Sequence, residues 1–222
     1  MTFLVFDVNE TLLDLKSLNP LFRDLFGDEQ VAKAWFTQLL QHSMVATLTD
    51  AYRDFGELAQ DALEMVAKRH EVQLKPSDKT TIFDAMRSLR PHEDVVPALE
   101  TLKSAGFKLA ALTNSPYSLL ETGLTHAGLR LYFEQALSVD EVKRFKPHPS
   151  VYQMAADKLG VDPSDMRMIA AHNWDTTGAI RAGCKAAFLA RAGMVLGELD
   201  EKPDIIASTM TDLADKIIET DS

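Results

Sequence analysis

The chain has 222 residues, 46% hydrophobic and 25% charged, a globular balance that excludes a disordered or fibrous protein. Its 23 basic and 33 acidic residues leave a net charge of −10, and no Lys/Arg stripe runs along it, which excludes a nucleic-acid-binding face. The single cysteine, Cys184, excludes an intrachain disulfide and fits a reducing compartment.

Thr2 to Phe6 is an apolar run too short for a helix and reads as a buried strand of a parallel sheet, ending in Asp7. Asp7 interrupts the opening MTFLVFDVNETLL, and no basic segment precedes it, so the start does not read as a signal peptide. No apolar stretch approaches the ~20 residues that span a bilayer. A cytoplasmic protein without membrane contact is the expectation.

Residues 18 to 89 read as helical. Pro20 opens a helix closed by Gly27, and Val31 to Leu48 forms a long second helix, apolar on one side. Phe55 to Arg69 is a third, with Leu58, Ala62, Met65 and Val66 at helical spacing. Pro76 opens a fourth through Arg87, with Ile82, Ala85, Met86 and Leu89 facing inward. Met44, Met65, Met86 and Met154 read as core fillers.

After Pro91 strands and helices alternate. Helices are predicted over 95–104, 117–127, 149–159, 175–182 and 211–219. Strands are predicted over 108–113, 135–139, 166–171, 185–190 and 204–207. This alternation predicts an α/β fold, a doubly wound parallel sheet with a Rossmann-like core. Residues 1–13 and 90–222 form the core domain, and 14–89 form an inserted helical cap domain.

In such sheets ligands bind beyond the carboxyl ends of the strands. Four of those ends carry polar residues in chain order: Asp7 with Asn9 and Thr11; Thr113-Asn114-Ser115; Lys146; and His172-Asn173-Trp174-Asp175. Each alone reads as a turn or cap. Asp175 in particular reads also as the N-cap of a helix over 176–182. Four together point to a site.

Phe6-Asp7-Val8-Asn9-Glu10-Thr11-Leu12, Leu112-Thr113-Asn114, Lys146-Pro147 and Trp174-Asp175-Thr176-Thr177-Gly178-Ala179 resemble, in order, the four motifs of the haloacid dehalogenase superfamily. Within it the chain is similar to the type II (S)-2-haloacid dehalogenases, through DxxxTLLD, SVDEVKRFKP with the Tyr152 that follows, and NWDxxGA. The resemblance covers essentially the whole chain. It implies a hydrolase acting on carbon–halide bonds. By that resemblance Asp7 is expected to be the nucleophile that forms an ester, Lys146 to hold it ionised, and Asp175, helped by Thr11, to activate the hydrolytic water. Thr113 and Asn114 are expected to bind the substrate carboxylate. Val8, Asn9, Phe36, Phe55, Tyr152, His172, Asn173 and Trp174 are the further residues expected to line the substrate pocket. The implied partner is a small 2-haloacid, and a homodimer is implied by the resemblance alone.

The absent residues choose among chemistries. Superfamily phosphatases carry a second Asp two positions after the nucleophile; here stands Asn9, which is no carboxylic acid. The position of their extra acidic metal ligand is Ala171. Asp7 and Asp175 alone make a poor magnesium site, so no metal or cofactor is expected. A halide departs without protonation, so losing a general acid is tolerable for carbon–halogen cleavage and damaging for phosphate-ester hydrolysis.

The chain also departs from the dehalogenase pattern. Asn9 replaces an aromatic residue, Phe36 stands where a cap arginine would receive the halide, and Ala170 and His172 replace a serine and an asparagine. His172, Asn173, Trp174 and Asn9 are the expected replacement donors for the halide. The competing readings are a phosphatase, disfavoured by Asn9 and Ala171, and a non-catalytic relative, disfavoured by Asp7, Lys146 and Asp175 together.

Overall fold

A computed structural model describes residues 2–222. Six strands form one parallel sheet in the order β3-β2-β1-β4-β5-β6. They are β1 (Phe3–Phe6), β2 (Lys108–Thr113), β3 (Gln135–Ser138), β4 (Met166–Ala170), β5 (Lys185–Leu189) and β6 (Ile205–Ala207). The central strand β1 is buried along its whole length, as its unbroken apolar sequence requires of a strand covered on both faces. Its register pairs Phe6 with Ala111 on one side and Ile169 on the other.

Between β1 and β2 the chain makes α1 (Asn19–Phe26), α2 (Val31–Leu48), α3 (Phe55–Arg69), α4 (Pro76–Arg87) and α5 (Val95–Ser104). The first four lie outside the sheet's own crossovers. Pro20 and Pro76 sit in first turns, where a missing N–H costs nothing, and Gly27 at φ 78 stops α1 in a left-handed cap. This segment leaves and re-enters the sheet side by side: the Asp14 N–H donates to the Arg90 carbonyl (2.9 Å) and the His92 N–H to that of Leu12 (3.0 Å). Further helices are α6 (Tyr117–His126), α7 (Pro149–Leu159), α8 (Asn173–Arg181) and α9 (Met210–Asp221). Among the described residues no helix is long and apolar enough to cross a membrane.

The sequence-based boundaries shift at several ends. β3 stops at Ser138 because Val139 opens a short 3-10 turn, and α9 runs on to Asp221. The larger correction concerns α8, which begins at Asn173 with His172 as its capping residue, so Asp175 lies in the first turn and is not the N-cap. Ile82, Met86 and Leu89 are buried as expected, but Ala85 is only half-buried and Met65 is 37% exposed, so Met65 is no core filler. Met65 sits at the edge of the apolar stripe of α3, where Leu63 and Val66 take the buried positions. In α2, Val45 and Leu48 point outward near its C-terminal end while Gln38 and Ser43 are buried.

Candidate active site

Asp7 follows the last residue of β1, and its N–H donates to the Ile169 carbonyl at 3.0 Å, so the neighbouring strand fixes its backbone. Its carboxylate is buried, at 4% exposure. The Lys146 ammonium donates to Asp7 Oδ1 at 2.9 Å and to Asp175 Oδ2 at 2.6 Å. The same ammonium also donates to the Leu112 carbonyl at 3.1 Å, which completes its three donors. Burial opposes the charge on Asp7, but Lys146 and His172 outweigh it and hold the carboxyl well below the usual range. Burial raises Asp175, and the charge of Asp7 adds to that, so the two carboxylates that share one lysine are pushed apart. Burial also opposes the Lys146 charge, which Asp175 and Asp7 more than restore.

Asp7 Oδ2 has different partners. Thr11 Oγ1 donates to it at 2.7 Å and itself accepts the Ala171 N–H at 2.9 Å. His172 Nδ1 lies 3.1 Å away, and His172 Nε2 lies 2.8 Å from Glu10 Oε2. Carboxylates at both ring nitrogens require N–H groups at both, which is the imidazolium. Burial alone would strip that proton; Asp7 and Glu10 push the pKa up to about 9. The ring stacks on Trp174 with centroids 4.9 Å apart and faces Phe36 at 6.3 Å.

The structure gathers Asp7, Thr11, Lys146, Asp175 and His172 into one bonded network, with Phe36 and Trp174 against it. Val8, Asn9, Thr113 and Ser115 surround a void of about 10 Å³ beside it, room for about one water. Thr113 Oγ1 accepts the Ser115 N–H at 3.1 Å, which ties the turn after β2. Asn114 Oδ1 accepts the Lys146 N–H at 2.9 Å, while its amide nitrogen is buried with no protein partner. Tyr152 is fully buried and donates to Asp175 Oδ1 at 2.7 Å, so it braces Asp175 rather than facing a pocket. Asn173 turns away and donates to Asp200 at 2.8 Å. Phe55 packs on Phe145, the residue before Lys146, at 5.6 Å.

Gly178 explains how closely these pieces approach. A Cβ there would stand 2.4 Å from Pro147 Cβ and 2.7 Å from Tyr152 Oη, so α8 can carry no side chain where it meets the lysine loop. The larger cavities flank the carboxylate rather than contain it. One of about 260 Å³ lies beyond Glu10 and Phe36, bordered by Lys33, His92 and Arg191. Sequence reasoning missed Glu10 although it lies three residues from Asp7; its φ of 62, rare outside glycine, turns it toward a histidine far along the chain.

A doubly wound sheet that buries a lysine-paired carboxylate at the end of its first strand is the framework of hydrolases with a carboxylate nucleophile. Known proteins narrow the class. The family model of haloacid dehalogenase-like hydrolases matches residues 1–183, and the chain belongs to that family. It is 31% identical to an (S)-2-haloacid dehalogenase of Pseudomonas sp. strain YL, over 90% of this chain and 88% of that one. A second (S)-2-haloacid dehalogenase, from Pseudomonas sp. strain CBS-3, is 34% identical over 79% of this chain and 78% of its own. An L-2-haloacid dehalogenase from Xanthobacter autotrophicus, solved with chloropropionic acid covalently bound, shares the fold with a TM-score of 0.92 at 24% identity, over 100% of both chains.

Proposed function

We propose that this protein hydrolyses short 2-haloalkanoic acids to hydroxy acids, without a metal, through an ester on Asp7. The observation that carries the reading is the Lys146 ammonium held between Asp7 and Asp175. A divalent cation bridging the same carboxylates would meet that positive charge, and Asn9 and Ala171 offer no further carboxylate.

Asp7 Oδ1 carries one donor, Lys146, whereas Oδ2 carries both Thr11 and His172. Oδ1 is therefore the better nucleophile. It bonds to the halogen-bearing carbon as the carbon–halogen bond breaks, and the halide leaves with the electron pair. The substrate carboxylate is held by the free amide N–H of Asn114 and the turn after β2. With both His172 nitrogens engaged, Asn9 and Trp174 remain as donors toward the halide. Water then attacks Cγ of the ester, giving its proton to Asp175, whose raised pKa suits a base. The Cγ–Oδ1 bond breaks, the departing alkoxide takes back the proton held by Asp175, the regenerated Asp7 carboxyl loses the second water proton to solvent, and the hydroxy acid departs.

Among the described residues the cavities nearest the site are lined by its neighbours and not by Asp7 itself, so admission of a haloacid is taken to involve movement of the helices at 14–89 relative to the core at 1–13 and 90–222. These are proposed as cap and core domains, and a cytoplasmic homodimer is proposed for the assembly. The test is halide release from chloroacetate and 2-chloropropionate with and without EDTA. We expect equal rates in both. A strict magnesium requirement with phosphate released from simple monoesters would replace this reading by a phosphatase.

A further inference from the structure

Alkylation turns Asp7 into a neutral ester, and the next charge to develop is on its carbonyl oxygen. That oxygen is Oδ2, the one not engaged by Lys146. Two donors already aim at it: Thr11 Oγ1 at 2.7 Å and His172 Nδ1 at 3.1 Å. Thr11 is locked as a donor because its own oxygen receives the Ala171 N–H. His172 is locked by Glu10 on its far nitrogen and by the Trp174 and Phe36 rings beside it. We propose that His172 is a catalytic residue of ester hydrolysis, completing an oxyanion hole with Thr11, and that Glu10 is the positioning residue that keeps its ring charged and turned. The proposal rests on the dehalogenase reading above.

The balance of charge favours the second step over the first. Before attack His172 stabilises the Asp7 carboxylate and so restrains the nucleophile. Once the ester forms, the same N–H opposes a neutral carbonyl whose charge appears only in the tetrahedral intermediate, where a preorganised donor acts most strongly. Water adds to Cγ, its proton passes to Asp175, and the carbonyl electron pair moves onto Oδ2 between Thr11 and His172. The pair returns as the Cγ–Oδ1 bond breaks, its electrons leaving on the substrate oxygen, which takes the proton held by Asp175. Groups facing the imidazole are Asp7 from the end of β1, Glu10 from the loop after it, Phe36 from α2 and Trp174 from α8. Lys146 and Asp175 lie on the far side of Asp7.

The test is rapid-quench turnover of chloroacetate, reading halide release and the ester mass on the Asp7 peptide in the same samples. Wild type, His172→Ala, His172→Asn and Glu10→Gln are compared. In His172→Ala ester hydrolysis should slow about a hundredfold relative to alkylation, the scale of one lost oxyanion donor, and esterified Asp7 should accumulate. His172→Asn restores a neutral N–H near the Nδ1 position and should recover part of that loss. Glu10→Gln keeps the ring but removes its counter-charge, so the alkaline limb of ester hydrolysis should move to lower pH by about one unit. That variant also decides the matter if the His172 substitutions fail to fold. An unchanged ratio of hydrolysis to alkylation in the His172 variants, or an unmoved alkaline limb in Glu10→Gln, overturns the proposal while the dehalogenase reading stands. A wild type that releases no halide overturns both.

Discussion

Two clusters of cations and carboxylates sit at opposite ends of the same sheet, one with a buried Arg167–Asp221 centre whose other members reach solvent, the other buried almost throughout. At the amino end, Arg167 near the start of β4 is fully buried, and all five of its N–H groups are used. They reach Asp204, Asp221 and the Ala186 carbonyl at 2.6–3.1 Å. Lys185 joins Asp221 at 2.9 Å, so two cations face two anions. At the carboxyl end Lys146 and the His172 imidazolium face Asp7, Asp175 and Glu10, leaving one excess negative charge. The first cluster is saturated and pins α9 to the sheet. The second is frustrated, with one ammonium divided between two carboxylates whose pKa values it cannot lower together. Buried charge as such says nothing of function; unequal sharing of it does.

The hardest strike at the frustrated cluster is Asp7→Asn. Halide release should fall by about 10⁴-fold or more, because the amide cannot attack carbon, while circular dichroism stays that of wild type. Retained turnover, or an ester found on another peptide, would end the Asp7 mechanism. At the saturated cluster, Arg167→Met should do the reverse. Stripping the guanidinium from Asp221 should cost about 3–5 kcal/mol in urea unfolding, with kcat per folded molecule unchanged. A folded Arg167→Met protein with no activity would erase the distinction between the two ends.

The subtlest contrast is in pH. His172 has a folded pKa raised from 6.5 to about 9, so its contribution to stability is complete below 6.5 and is lost as pH rises through about 9. Asp221 has a lowered pKa, chiefly because Arg167 and Lys185 overcome its burial, so its contribution is present above 3.8 and is lost as pH falls through the lower folded value. Unfolding curves across pH should therefore show His172→Asn losing the alkaline difference and Arg167→Met the acid one. Superimposable profiles would show that the two ends are not electrostatically distinct.

The sheet was legible because its strands are short, mostly apolar runs, interrupted inside only by Arg167 of β4, and because several helices carry Pro or Gly near their ends. The polar residues at strand ends were legible by position alone, since the carboxyl edge of a parallel sheet is one place in space. What the sequence hid were pairings across long separations. Glu10 reads as a surface carboxylate until His172, 162 positions away, is brought to 2.8 Å. Tyr152 and Asn173 sit beside motif residues in sequence but turn to Asp175 and Asp200, because the direction of a side chain leaving a helix depends on the first turn of that helix. The start of α8 was misplaced by two residues for the same reason: Asp175 is a good cap by type, but His172 occupies the capping position.

Gly178 has a consequence for motion. With no side chain between α8 and the Pro147 loop, Lys146, Tyr152 and Asp175 share one packed contact that leaves no gap to open. These segments should breathe as a single unit, with amide protons that exchange slowly and together, whereas Phe36 on α2 belongs to the helices proposed as a cap. On the proposed cap motion, traffic to and from the carboxylate would pass on the side of α2, and the pace of a catalytic cycle would be set by how often those helices lift away from a core that itself stays still.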